Sequence, residues 1–307
     1  MRRYYIFAGV TAVLLAAMAV IGVALGRGMP HPPRLPLAPG RVGEADRMFA
    51  SLGAVKSDFV VRAQDGVVLR GWKVIPVMPS HDWVLLFHGI SDNRLGMLGY
   101  AEFLVRSGYS VVLMDSRAHG ESGGSEATFG WLERRDVQAI TDALFANEPV
   151  RHLFALGESM GGAIALQAAA IEPRIAAVVA ESPFSTLREV SYDYVGMHWS
   201  PLLGRTLLWP LDRYALNVAE RNGKFRVDDV SPEAAVAQRA FPVLLICDAL
   251  DHTIPCRHAK KIFAAARGPK EFWEVEGAGH TGAYGVRPEE FERRVLQFFR
   301  ETATQQK

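Results

Sequence analysis

From residue 4 to residue 25 the chain carries no charged side chain, and Arg2 and Arg3 precede the run. About 20 such residues in a helix span a bilayer core. The pattern predicts a single transmembrane helix within residues 1–28, longer than the usual signal-peptide core of about 7–15 residues. Ala17, Met18 and Ala19 form a small-x-small site, so cleavage and secretion stay open as the alternative. Five prolines follow, at positions 30, 32, 33, 36 and 39. They predict a stiff extended linker over residues 29–41, free of helix up to Gly40, with the folded domain over 42–307.

Within the domain the pattern changes again. Residues 57–63 and 67–75 are β-rich and flank Gln64, Asp65 and Gly66, and Asp-Gly between such runs signals a hairpin. Short, continuously apolar runs then appear at 83–87, 110–114, 152–156, 175–180, 242–247 and 271–275. Helical stretches near 97–107, 132–146, 161–171 and 288–300 alternate with them. Continuous apolar strands belong to parallel sheets covered on both faces. The expected fold is therefore α/β, a mostly parallel sheet with helices on both sides and an antiparallel hairpin at its start. Between the runs ending at Ala180 and starting at Pro242 the interval is too long for a plain connection. It holds Tyr192, Tyr194, Trp199, Trp209 and Tyr214, and residues 186–241 are expected to form an inserted helical lid.

Composition sets limits. The chain has 307 residues, 49% hydrophobic and 22% charged, which supports one sizeable core. A formal net charge of +1 offers no electrostatic reason to bind nucleic acid. Arg2 and Arg3 outweigh Arg27 behind the helix, so the domain is expected on the non-cytoplasmic side. Cys247 and Cys256 lack metal-ligand spacing and are read as unpaired small apolar residues, with a bridge open to them outside the cytosol.

Gly-x-Ser-x-Gly occurs at residues 120–124 and again at 157–161. The pattern carries chemistry only where the serine sits on a sharp turn from strand to helix. Ser159 has an apolar strand before it and an Ala-rich helix after it; Ser122 lies among loop residues and is read as structural. A serine hydroxyl needs a neutral histidine to take its proton, and the histidine needs a carboxylate to hold its tautomer. Downstream histidines are His198, His252, His258 and His280. His280 follows the last strand in a small-residue loop, and such loops at the carboxyl ends of parallel strands build active sites. The others are assigned surface or capping roles. Asp248 and Asp251 both follow the strand at 242–247; Asp251, projecting from the loop, is preferred, with Asp248 kept as the alternative. Two N–H groups are needed for an oxyanion. Met160, after the serine, supplies one, and Ile90, in the loop His88-Gly89-Ile90, the other. His88 is expected to bond locally.

These residues resemble the α/β-hydrolase superfamily over roughly residues 57–299. His88-Gly89-Ile90 is similar to its oxyanion loop, and residues 115–122 to its Asp-x-Arg-Gly-His-Gly-x-Ser segment, with Ala118 where glycine is usual. Residues 157–161 resemble its nucleophile elbow, Asp251 with Ile254 and Pro255 its acid loop, and Gly279-His280 its histidine loop. Asp248 stands where the family usually has glycine. The resemblance implies the lipase, esterase and serine-aminopeptidase-like branch. It implies two-step acyl transfer by Ser159, His280 and Asp251 on a small-molecule or lipid-like ester, with no metal or organic cofactor. Acyl transfer to another acceptor, thioester or peptide cleavage, and a non-catalytic tethered binding protein are the competing readings.

Overall fold

The computed structural model describes residues 2–196, 201–223 and 225–305. Eight strands form one sheet: β1 (Val55–Arg62), β2 (Val68–Ile75), β3 (Asp82–Phe87), β4 (Ser110–Met114), β5 (His152–Glu158), β6 (Ile175–Glu181), β7 (Val243–Asp248) and β8 (Lys270–Val275). Their order is β1-β2-β4-β3-β5-β6-β7-β8. β1 pairs β2 antiparallel, as the Asp-Gly hairpin predicts, and β2 pairs β4 antiparallel; all later pairs are parallel. The continuous apolar runs have a direct cause. Trp83, Leu85 and Phe87 enter one core while Val84 and Leu86 enter the other, because successive side chains point to opposite faces and both are covered.

The helices are α1 (Arg2–Gly28), α2 (Pro39–Ser51), α3 (Leu98–Arg106), α4 (Glu133–Asn147), α5 (Met160–Ile171), α6 (Leu187–Gly196), α7 (Pro201–Arg205), α8 (Trp209–Gly223), α9 (Pro232–Gln238), α10 (Arg257–Ala265), α11 (Ala283–Val286) and α12 (Pro288–Gln305). One face of the sheet is covered by α4, α5, α9 and α10. The other is covered by α2, α3 and α12. Helices α6 to α9 fill the long interval between β6 and β7.

Two features of the N-terminal part differ from expectation. The expectation of no helix up to Gly40 is corrected, because α2 begins at Pro39, the first-turn position where a missing N–H costs nothing. Ala45 and Phe49 on this helix are buried. The proline-rich segment before it is extended but strapped to the domain. Ala127 N–H donates to Pro30 O at 2.8 Å. Arg34 donates to the carbonyls of Ser122 at 2.6 Å and Gly124 at 2.8 Å. Tyr4–Gly28 forms one apolar helix of 25 residues with a mean hydropathy of 2.5, long enough to cross a membrane.

Candidate active site

Ser159 sits between β5 and α5 at φ 53°, ψ −119°, in the left-handed region that L-residues rarely adopt. The turn is possible because its flanks carry no Cβ. A Cβ on Gly157 would overlap the Gly161 carbonyl, and one on Gly161 would overlap Phe87 O. Ser159 N–H donates to Glu181 O at 2.8 Å, which ties the turn to the end of β6.

Three of the expected residues meet here. His280 Nε2 lies 2.9 Å from Ser159 Oγ, and His280 Nδ1 lies 2.6 Å from Asp251 Oδ2. An ionised carboxylate only accepts, so Nδ1 carries the ring proton and Nε2 accepts from the serine O–H. The other Asp251 oxygen accepts from Thr253 and Ile254 N–H, both at 2.8 Å, which fixes the carboxylate. Asp248 does not reach His280; its Oδ2 accepts from Ser182 Oγ at 2.8 Å, and burial first, then the Asp251 charge, pushes its carboxyl above the ordinary range. Cys247 and Cys256 are bridged, with Cα atoms 5.3 Å apart, and the bridge closes the loop that carries both aspartates. This corrects the reading of two unpaired cysteines: residues nine apart come together because the chain turns back between β7 and α10.

Met160 opens α5, so its N–H has no acceptor within the helix. Gly89 lies against the serine, where a Cβ would sit 3.6 Å from Ser159 Cβ, and Ile90 follows it in that loop. His88 is fully buried. It accepts Ser116 N–H at Nε2 and contacts Gly89 O through Nδ1, and burial lowers it to about 3, so it stays neutral. Ser122 is buried as well; its hydroxyl donates to Asp115 O at 2.7 Å and accepts Arg70 N–H at 2.8 Å. Ala118 holds φ 61°, a conformation costing an L-residue about 1–2 kcal/mol, which is why glycine is usual there.

Beneath the serine lies a group that sequence reasoning missed. Tyr100 Oη lies 3.2 Å from Glu158 Oε2 and 2.9 Å from Glu181 Oε2. A phenol has one proton, so both contacts act as hydrogen bonds only if one carboxyl is protonated. Burial, then the Asp92 charge, raises Glu158 to about 7; burial, then the charges of Asp248 and Glu158, raises Glu181 to about 8. Glu181 Oε1 accepts Ala283 N–H at 2.9 Å, which anchors the segment just after His280. Glu158 stood in the Gly-x-Ser-x-Gly pattern as a variable position, and only its burial reveals this role.

On α6, the Tyr194 phenol is raised first by burial and then by the Asp251 charge. Trp209 and Tyr214 are exposed, and Tyr214 lies against Gly22 of α1. Trp199 and His198 fall outside the described residues. His252 is exposed. His258 is corrected from a surface or capping role: it is fully buried between Asp193 Oδ2, 2.7 Å from Nε2, and Ser185 Oγ, 2.9 Å from Nδ1.

Comparison with known proteins agrees with this architecture. A family described as serine aminopeptidase, S33, matches residues 79–231. An uncharacterized protein of Mycobacterium tuberculosis is 32% identical over 271 residues, 83% of this chain and 86% of that protein. An alpha/beta hydrolase domain-containing protein of Arabidopsis thaliana, WAV2, is 23% identical over 98% of this chain and 96% of its own. The fold of the Pyrococcus furiosus esterase Pf2001 superposes with a TM-score of 0.70 at 24% identity, covering 89% of this chain and 98% of that one. With its sheet order, its strand-to-helix turn at Ser159 and these relatives, the chain belongs to the α/β-hydrolase superfamily.

Proposed function

We propose that the protein hydrolyses carboxylic esters through Ser159, His280 and Asp251. The observation that carries this reading is the unbroken chain from Ser159 Oγ to His280 Nε2 at 2.9 Å and from His280 Nδ1 to Asp251 Oδ2 at 2.6 Å. Ser159 Oγ attacks the substrate carbonyl while His280 Nε2 takes its proton, and Asp251 stabilises the imidazolium. The backbone N–H groups of Ile90 and Met160 hold the oxyanion. His280 returns the proton to the leaving alcohol, then deprotonates water, which releases the acid from the acyl-enzyme. The esterase Pf2001 shares the fold, while the matching family is described as an aminopeptidase; the same groups would cleave an amide by the same steps.

In this reading α1 is a retained anchor, residues 29–41 strap it to the domain over 42–307, and residues 186–241 form a cap. The domain lies outside the cytoplasm. The Cys247–Cys256 bridge supports that side, since disulfides persist in oxidising compartments.

A fluorophosphonate probe tests the chemistry. Ser159→Ala should abolish labelling and lower kcat on a short-chain ester by about 10⁶, while Ser122→Ala keeps both. Labelling that survives Ser159→Ala would remove the assignment.

A further inference from the structure

α1 and α8 lie side by side and run in the same direction. Gly22 meets Leu211 and Tyr214, whose nearest atoms would be 3.2 Å and 2.6 Å from an added Cβ. Four residues later, Gly26 meets Ala215 and Val218; a Cβ there would overlap the Ala215 carbonyl oxygen and lie 2.7 Å from Val218 Cβ. An advance of four residues on one helix matches four on the other, so the contact is parallel. Gly22 and Gly26 have the small-xxx-small spacing by which helices approach closely in a bilayer. Here a helix of the same chain fills that face, and Gly22 and Gly26 are buried while their neighbours on α1 are mostly exposed.

The register has a consequence for depth. Trp209 falls level with residues 18–19 of α1, on the order of 10 Å to the N-terminal side of Leu25 at about 1.5 Å per residue. Leu207 stands two residues before Trp209, in the turn that leads into α8. Leu207 is 72% exposed and Trp209 46%. The opposite end of α8 turns polar and exposed at Asn217 and Arg221. Two cations lie near: Arg205 is tied to Asp193 at 3.5 Å, and Arg213, level with Gly22, has a stem long enough to carry its charge toward the end of the span.

We propose that the turn between α7 and α8, carrying Leu207 and Trp209, is seated in the acyl region of the leaflet that holds the C-terminal half of α1. The partner of this surface is the lipid bilayer, and the cap so placed supplies the site with acyl esters that reside in that leaflet. The proposal rests on the reading of α1 as a retained anchor. Its argument is continuity: the exposed apolar turn lies at the depth of an apolar span that is itself packed against the same helix. α8 packs on α6 through Ser191 Oγ, which donates to Asp212 Oδ2 at 2.9 Å, and α6 carries Tyr194, whose phenol is raised by burial and then by the Asp251 charge.

The test uses the full chain in phosphatidylcholine vesicles. Spin labels on Leu207→Cys and Trp209→Cys should favour oxygen over a water-soluble nickel chelate as relaxant, while a label on Arg221→Cys should show the reverse. Gly26→Leu should return the Leu207 label to water. An intact N-terminus with all three labels in water overturns the proposal alone; a missing α1 overturns it together with the anchor. Trp209→Asp should slow hydrolysis of a long-chain ester in vesicles by about tenfold, with turnover of a soluble short-chain ester unchanged. Equal effects on both esters would refute the supply role.

Discussion

Among the described residues two serine–histidine–aspartate sets occur, and their surroundings separate them. Ser185, His258 and Asp193 are joined at 2.9 Å and 2.7 Å, much like Ser159, His280 and Asp251. In the first set the histidine is fully buried, and its Nδ1 also accepts Ser185 N–H at 3.2 Å. Burial opposes ionisation of Asp193, yet the hydrogen bond from His258 and the charges of Arg257 and Arg205 hold it below the ordinary carboxylate range. That set is a sealed tie between the inserted helices and α10. In the second, His280 keeps a quarter of its side chain exposed, and the serine stands on a positive-φ turn at the carboxyl end of the parallel strands. Residue types and distances are alike; access and backbone geometry set the two apart.

Substitutions in each set separate their roles. The largest effect is expected on chemistry: Asp251→Asn should lower kcat by about 10⁴, the loss of a correctly held tautomer, and Asp248→Asn by far less. Steady-state kinetics on one ester decides it, and equal losses would move the acid role to Asp248. Next, His258→Ala removes a buried hydrogen bond to the Asp193 carboxylate, which keeps Arg257 and Arg205 beside it, and the expected loss is about 1.5–3 kcal/mol of stability. Urea denaturation measures this, and kcat of the folded enzyme should stay within about tenfold, since this set is sealed from solvent. A loss of kcat approaching that of Asp251→Asn, with stability unchanged, would make His258 a second reacting centre.

The smallest effect concerns pH. Folded Glu181 keeps its proton up to about 8, whereas the unfolded carboxyl releases it near 4.5. The folded state therefore binds more protons across that window, and stability falls as pH rises through it. Glu181→Gln mimics the neutral form: its carbonyl accepts Ala283 N–H and its amide donates to Tyr100, which leaves the phenol proton for Glu158. The variant should lose less stability than the parent between pH 5 and about 8. Parallel pH profiles of the urea midpoint would exclude a protonated Glu181.

Much of the site was legible because backbone geometry restricts residue type at fixed spacing. Gly157 and Gly161 are required by chain approach around Ser159, and His280 and Asp251 follow strands whose ends were visible as apolar runs. The hairpin and all eight strands were legible for the same reason. α2 was obscured by the prolines before it, although Pro39 at its first turn and the spacing of Ala45 and Phe49 were there to read. The tie at His258 was hidden because its partners lie 73 and 65 residues away.

Strands, turns and the apolar N-terminal helix form where periodicity and local backbone freedom put them, and both are readable along the chain. Packing in three dimensions sets which histidine is sealed, which aspartate reaches His280, that Cys247 meets Cys256, and that Glu158 and Glu181 share a phenol. It also lays α1 along α8. Each of these rests on burial and on contacts distant in the chain or set by how a loop folds back, and the energy of a charge or a polar group depends on that enclosure more than on its neighbours in sequence.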